Sequence, residues 1–209
     1  MNKTLLQLNA SLYSEAGIST GLADQFVARW RRLNPGAKVV LRDLARDPVP
    51  HLTAERFGAF LSKPEQRTPE QHAVVAYSDA LIDELRRADV IAMGVPMYNF
   101  SVPSTLKAYF DHIARVGVTF RYTEQGPVGL LTGKKVYVFT SRGGYYAGTP
   151  GDTQTAYVCQ FLRLLGIEDI EFVYAEGLAI NEAARQAALS KAGEAIERLN
   201  APPQQALAA

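Results

Sequence analysis

The stretch that decides the fold is residues 90–103, VIAMGVPMYNFSVP. Its first part, 90–95, is a continuous apolar run, which is typical of a strand buried on both faces of a parallel sheet. Pro103 then opens a helical pattern that extends over 103–115, so the residues in between form a loop from a strand to a helix. Open α/β sheets bind their ligands at such loops, beyond the carboxyl ends of the strands.

The same alternation extends from this stretch in both directions. Further strands are predicted at residues 5–8, 38–41, 135–140 and 170–175, and further helices at 19–33, 71–87, 152–165 and 182–199. Pro69 opens the helix at 71–87, since proline suits the first turn. Continuously apolar strands that alternate with helices indicate a parallel sheet covered on both faces. We therefore predict one doubly wound α/β domain over residues 1–209, with five parallel strands, helices on both faces and a frayed tail at 201–209.

Two segments fall outside this alternation. Residues 44–68 are rich in proline, arginine and polar residues, and they are predicted to form a long excursion with one short helix at 54–61. Long connections of this kind are usually functional or mobile. Residues 120–131 contain a Gly-Pro turn and are predicted to form a small hairpin.

Composition excludes several classes of partner. Lys and Arg total 22 and Asp and Glu total 21, so no net field recruits nucleic acid or anionic lipid. Cys159 is the only cysteine, which rules out an intrachain disulfide. No apolar run approaches the roughly 20 residues that span a bilayer, and residues 1–8 become polar too early for a signal peptide. We expect a cytoplasmic protein without nucleic-acid or membrane partners.

The loop after the first strand, residues 11–20, is suited to a phosphate. Its hydroxyl groups and Gly17 stand where a helix begins, and a helix N-terminus supplies free amides and a favourable dipole. The loop has no lysine, so it is not a nucleoside-triphosphate loop, and Gly17 and Gly21 do not match the dinucleotide fingerprint. The alternative interpretation is a plain Ser/Thr helix cap.

The loop after the strand at 90–95 is suited to a flat heteroaromatic ring. It contains Met97, Tyr98, Asn99 and Phe100, which together provide apolar faces and an amide for a polar ring edge. The alternative interpretation is that Met97 and Phe100 only plug the end of the sheet.

The loop after the strand at 135–140 carries paired glycines, Gly143 and Gly144. Paired glycines let the backbone approach a ligand closely, and their amides can bind carbonyl oxygens. The alternative is a Gly-rich turn followed by two surface tyrosines. Because the three loops converge at one edge of the sheet, they together predict a ligand with one phosphate and one planar polar ring system, which is flavin mononucleotide (FMN).

At these loops the chain closely resembles the FMN-dependent NADH-azoreductase family, which belongs with the flavodoxin-like quinone reductases. The resemblance is carried by PMYNFSVPSTLKAYFD at 96–111 and FRYTEQGP at 120–127, and it is extended by SRGG at 141–144, FLRLLG at 161–166 and AEG at 175–177. It implies a flavodoxin-like fold, bound FMN, and electron transfer from NADH or NADPH to a quinone or azo acceptor. It also implies a homodimer with active sites at the subunit interface.

The resemblance further implies residue roles. It assigns to the cofactor Ser11, Gly17, Ile18 and Ser19 at the phosphate, Met97, Tyr98, Asn99 and Phe100 along the flavin, and Ser141, Arg142, Gly143 and Gly144 at its pyrimidine edge. Asn99, beside the flavin N5 and O4 atoms, and Tyr122, on the substrate side, are the candidate catalytic residues, with Tyr122 assisting proton delivery.

The implied mechanism is hydride transfer to the flavin, after which the acceptor replaces the nicotinamide in the same pocket, and this predicts ping-pong kinetics. No metal is required, and His51, His72 and His112 lack the spacing of a metal cluster. The choice between NADH and NADPH as the electron donor stays open. Arg56 and Arg142 either bind the 2′-phosphate that only NADPH carries or are solvated surface charges. Two alternatives remain: a flavodoxin-type electron carrier, and a flavodoxin-like binding module without redox function.

Overall fold

The computed structural model describes residues 3–199, so the tail predicted at 201–209 lies outside the described residues. The strands are β1 (Thr4–Asn9), β2 (Lys38–Asp43), β3 (Val90–Pro96), β4 (Phe120–Thr123), β5 (Gly126–Gly129), β6 (Lys135–Ser141) and β7 (Asp169–Ala175). The helices are α1 (Ile18–Leu33), α2 (Ala54–Leu61), α3 (Pro69–Arg87), α4 (Ser104–Ile113), α5 (Thr153–Leu164) and α6 (Glu182–Arg198).

Five of the strands form one parallel sheet in the order β2-β1-β3-β6-β7. The predicted five-stranded parallel sheet with helices on both faces is confirmed. The strand order reverses beside β1, which pairs with β2 on one side and β3 on the other. The loops after β1 and β3 therefore flank the switch point at which sheets of this kind bind ligands.

Both faces of the sheet are covered. Along β6, Tyr137 and Phe139 belong to the core formed with α1 and α6, whereas Val136 and Val138 belong to the core formed with α3, α4 and α5. A strand buried on both faces has no polar side to alternate with, which explains its continuous apolar run.

A close approach fixes the start of α1 on the sheet. A Cβ atom added at Gly94, in β3, would lie 2.9 Å from the carbonyl oxygen of Ser19. Since only glycine permits this contact, the single glycine inside the apolar run of β3 determines how near the first turn of α1 lies to the switch point.

The ends of two predicted helices show how local chemistry sets their boundaries. Helix α3 begins at Pro69, the residue predicted to open it, within a capping box between Thr68 and Gln71. Helix α4 ends at Ile113 rather than at residue 115, because the Arg115 amide donates to Thr119 Oγ1. The short helix predicted at 54–61 and the predicted hairpin, formed by β4 and β5, are both confirmed.

His112, in the last turn of α4, is fully buried. Its Nδ1 lies 3.0 Å from the carbonyl oxygen of Ala108, and its ring meets Phe60 and Tyr77 edge-on. Burial lowers the pKa of His112, and the Ala108 carbonyl only partly opposes this effect. The Asp111 carboxylate beside it is paired with Lys107, so the two neighbours do not form an acid–base pair.

The burial of His112 predicts a loss of stability in acid. Its pKa in the folded protein lies below the unfolded value of about 6.5, so the unfolded chain takes up the proton first as the pH falls through that value. The free energy of unfolding, measured with urea, should therefore drop between about pH 7.5 and 5.5. His112→Phe keeps a ring in the site and should show a smaller drop. Equal drops in the two proteins would contradict this account.

Candidate cofactor site

The loops after β1, β3 and β6 meet at the carboxyl edge of the sheet and line a cleft of about 410 Å³. The predicted cofactor residues in its wall are Ser11, Gly17, Ile18, Met97, Tyr98, Ser141, Arg142 and Gly143. A second cavity of about 890 Å³ shares Tyr13, Met97 and Tyr98 with the cleft and also contains Asn99 and His51. The amide of Met97 donates to the carbonyl oxygen of Ser141 at 2.9 Å, which joins the second loop to the third.

One end of the cleft is the N-terminus of α1. Gly17 is the cap residue and makes no side-chain cap hydrogen bond, so the interpretation as a plain Ser/Thr cap is wrong. A Cβ at Gly17 would lie 2.1 Å from Ser11 Oγ, which shows how closely the serine packs on the helix start. Among residues 3–199, the hydroxyls of Ser19 and Thr20 are buried without a hydrogen-bond partner. The free helix amides make this end fit for a phosphate, and the two hydroxyls lie directly behind it.

The loop after β3 contains a strained two-residue turn. Tyr98 and Ser101 exchange both backbone hydrogen bonds at 3.0 Å, while Asn99 and Phe100 have φ values of 50° and 65°. Asparagine tolerates this left-handed conformation, whereas a phenylalanine in it costs roughly 1–2 kcal/mol. Thr153 Oγ1 donates to the Phe100 carbonyl and helps to hold the turn. The Asn99 side chain is exposed and makes no hydrogen bond to another residue of the described chain.

The glycine loop after β6 is fixed through its carbonyl groups. The carbonyl oxygens of Arg142 and Gly143 accept hydrogen bonds of 3.1 and 3.0 Å from the amides of Leu178 and Ala179. The amides of Gly143 and Gly144 have no partner between residues 3 and 199. The loop therefore offers backbone donors at the cleft, which suit the carbonyl oxygens of a pyrimidine ring.

Arg142 is the buried centre of a network beneath this loop, and its side chain is 0% exposed. Its guanidinium donates to Asp152 at 2.9 Å, to Glu176 at 3.0 Å and to Gln154 at 3.2 Å. Gln154 in turn donates to the carbonyl oxygen of Pro96 at 2.8 Å, so the network reaches the loop after β3. The expectation that Arg142 is a solvated surface charge or a 2′-phosphate ligand is wrong, because its side chain is committed to these partners.

The network also affects the acidity of Asp152. Burial alone would raise the pKa of this carboxyl, but hydrogen bonds from the Arg142 guanidinium and from Thr155 outweigh burial and hold the pKa below its usual range. Asp152 is therefore an anion at neutral pH, and it caps α5 by accepting from the Thr155 amide at 3.0 Å.

The sequence profile of the family described as flavodoxin-like fold matches residues 3–199. The chain belongs to this flavodoxin-like family. The FMN-dependent NADH:quinone oxidoreductase of Cellvibrio japonicus is 55% identical over 195 residues, which cover 93% of this chain and 97% of that protein. A protein of the same name from Burkholderia thailandensis is 56% identical over 193 residues, 92% of this chain and 98% of the relative.

Solved structures agree with this assignment. The crystal structure of an FMN-dependent NADH-azoreductase from Bacillus anthracis, in complex with FMN, superposes with a TM-score of 0.83 at 26% identity, covering 94% of this chain and 99% of that one. The resemblance predicted from the loop sequences is thus confirmed.

Four predicted residues of this flavodoxin-like chain do not line either cavity: Ser19, Phe100, Tyr122 and Gly144. Ser19 is fully buried behind the wall. Tyr122 lies on the β4–β5 hairpin, 69% exposed, with its ring against Phe120. The hairpin connects the end of α4 to the start of β6, and both of these lie at the amino edge of the sheet. The structure therefore does not bring Tyr122 to the cleft of its own chain, which lies at the carboxyl edge.

Five further residues line the cleft and were not predicted: Tyr13, Ala16, Pro96, Leu178 and Arg185. Leu178 and Arg185 come from the segment after β7, where the resemblance covered residues 175–177 but assigned no role to any residue. The topology was the available clue, since the last helix of a doubly wound sheet also starts at the carboxyl edge.

Two kinds of feature are absent from residues 3–199. No three His, Cys, Asp or Glu side chains there are grouped so that they could hold a metal ion. No helix in the same range is long and apolar enough to cross a membrane.

Proposed function

We propose that this chain is an FMN-dependent oxidoreductase that passes electrons from NADH to quinone and azo acceptors. One observation carries the proposal: a single cleft joins a helix N-terminus without a side-chain cap to the loop after β3 and to the glycine loop, whose Gly143 amide has no partner among the described residues. The relatives named FMN-dependent NADH:quinone oxidoreductase, and the azoreductase solved with FMN, support the same cofactor, donor and acceptor classes.

The residues in the wall have distinct parts in holding FMN. The Gly17 amide already donates to the Ser14 carbonyl, so the free amides from Ile18 onward would bind the phosphate. Met97 and Tyr98 would pack along the ring and exclude water. The Gly143 amide would donate to the pyrimidine edge and stabilise negative charge that develops there. Bound FMN supplies the hydride chemistry, which needs alignment more than a protein acid or base.

We propose that donor and acceptor dock in turn in the 890 Å³ cavity beside Met97, Tyr98 and Asn99. Shared use of one cavity requires the oxidised nicotinamide to leave before the acceptor enters, which is a ping-pong scheme. Initial rates at several fixed quinone concentrations should then give parallel double-reciprocal lines against NADH. Intersecting lines would show that both substrates bind together.

We also propose a homodimer with its active sites at the subunit interface. Leu12 and Tyr13, beside the larger cavity, are 56% and 72% exposed, and Phe57 and Leu61 of α2 are 50% and 68% exposed. Exposed apolar groups of this size favour an interface. If Tyr122 acts at a flavin, it does so across that interface. Sedimentation equilibrium should give twice the chain mass of 22.9 kDa, and a monomer at micromolar concentration would refute the dimer.

A cytoplasmic location belongs to the same proposal, since the single cysteine, Cys159, allows no intrachain disulfide of the kind that secreted proteins use. The formal net charge of +1 means that the chain has no overall acidic character of the kind a carrier uses for docking, so we favour the enzyme over the flavodoxin-type carrier.

The role of the Asn99 side chain can be tested without disturbing its turn. Asn99→Gly removes the amide while glycine adopts the positive φ freely. We expect the dissociation constant of FMN, measured by quenching of flavin fluorescence, to rise about threefold to tenfold, as for one lost hydrogen bond. The melting temperature of the FMN-free protein should stay within a few degrees. Unchanged FMN affinity and unchanged flavin reduction by NADH would exclude the side chain from the site.

A further inference from the structure

The phosphate end of the cleft has no cationic residue from its own loop, because residues 11–20 contain neither lysine nor arginine. Two of the described residues in the wall carry a charge, Arg142 and Arg185. The guanidinium of Arg142 is occupied by Asp152 and Glu176. The Arg185 side chain makes no ion pair or hydrogen bond with any residue between 3 and 199, and it is half-buried.

The packing of α1 against α6 shows which end of the cleft Arg185 occupies. Both helices follow a strand directly, so both run from the carboxyl edge of the sheet to its amino edge. Arg29 pairs with Glu197 at 2.7 Å across a sequence separation of 168. Gln25 Oε1 lies 4.0 Å from the position of a Cβ at Gly193, at the same separation. Toward the N-termini of the two helices, the same sequence separation of 168 residues places Arg185 level with Gly17, the cap of α1.

We propose that Arg185 binds the phosphate of the cofactor and supplies its fixed countercharge, an inference that rests on the proposed function. A phosphate monoester carries about −1.5 to −2 charges at pH 7, whereas a helix N-terminus offers only about +0.5. A guanidinium is always charged and can bind two phosphate oxygens at once. Arg185 therefore makes the site selective for FMN over riboflavin, which has the same ring system without the phosphate.

The test compares two ligands in matched variants of the full chain. Dissociation constants for FMN and for riboflavin are measured by fluorescence in the wild type, Arg185→Gln, Arg185→Lys and Lys191→Gln. Lys191 is the control, because it lies on the same helix but faces a separate groove between α6 and β7. We expect Arg185→Gln to weaken FMN binding about tenfold to hundredfold, as for a charged hydrogen bond, and to change riboflavin binding less than about twofold.

The other variants make the result specific. Arg185→Lys should recover part of the FMN affinity, and Lys191→Gln should bind both ligands like the wild type. Added salt should weaken FMN binding less in Arg185→Gln than in the wild type, because the variant lacks the charge that salt screens. Equal losses for FMN and riboflavin would overturn the proposal, because they would mean that Arg185 acts through the fold. Unchanged FMN binding in Arg185→Gln would overturn it while leaving the proposed function intact. A wild type that binds neither ligand would overturn both.

Discussion

Replacing Arg142 by methionine is expected to lower the free energy of unfolding by about 3–5 kcal/mol. The change removes the cation but leaves the Asp152 and Glu176 side chains, which are 7% and 14% exposed, without their partner. Glu176 also accepts from the amides of Tyr146 and Ala147 at 2.9 Å, so the loop after β6 loses its support as well. Urea unfolding of the FMN-free protein measures the loss, and FMN affinity should fall with it.

An exposed arginine provides the matched control for Arg142. Arg46 pairs with Glu15 at 2.7 Å, and the two side chains are 59% and 76% exposed. Exposed pairs contribute about 0–1 kcal/mol, so Arg46→Met should leave the free energy of unfolding nearly unchanged. Similar small losses for both variants would show that the Arg142 network does not stabilise the loops.

Gly94→Ala is expected to destabilise the protein by about 1–3 kcal/mol and to weaken FMN binding. The new methyl group would meet backbone atoms of Ser19, 2.9 and 3.1 Å away, and would push the first turn of α1 off the sheet. Gly21→Ala, in α1, is the control, because a Cβ added at Gly21 meets nothing within 4 Å. Alanine in a helix interior is favoured over glycine, so this variant should gain about 0.5–1 kcal/mol.

The opposite signs of these two glycine substitutions test the contact between α1 and β3. Chemical unfolding of the two variants and the wild type under one set of conditions gives both values. A stabilising effect of Gly94→Ala would mean that the helix start does not lie as close to the strand as the structure has it.

Most of the fold was predictable because burial on both faces imposes a simple pattern. Strand β3 is apolar without interruption, and β6 is apolar over residues 136–139, because both lie inside the sheet with both faces covered. The differences lie at the ends of helices and strands: β2 runs to Asp43 rather than to residue 41, and the hydrogen bond from the Arg115 amide to Thr119 decides the last residue of α4. Such bonds leave no periodic signal in the sequence.

The site was predictable where its residues directly follow a strand. Ser11, Met97 and Ser141 reach the cleft because parallel strands place their loops at one edge. The interpretation of Arg142 as a surface charge or a ligand of the NADPH 2′-phosphate was wrong. Its partners lie 10 to 34 positions away in the sequence, and the spacing of residues does not reveal burial. Arg185 was missed for the same reason: its proximity to Gly17 depends on helix packing over a separation of 168 residues.

The most direct test of the proposed function is the visible absorption spectrum of the purified protein with FMN, recorded without oxygen. Addition of NADH should bleach the flavin bands of the complex, and addition of a quinone should restore them, with no second protein present. That result would establish cofactor, donor and acceptor class together. A protein that takes up no FMN would contradict the account, and so would a complex whose bands NADH leaves unchanged.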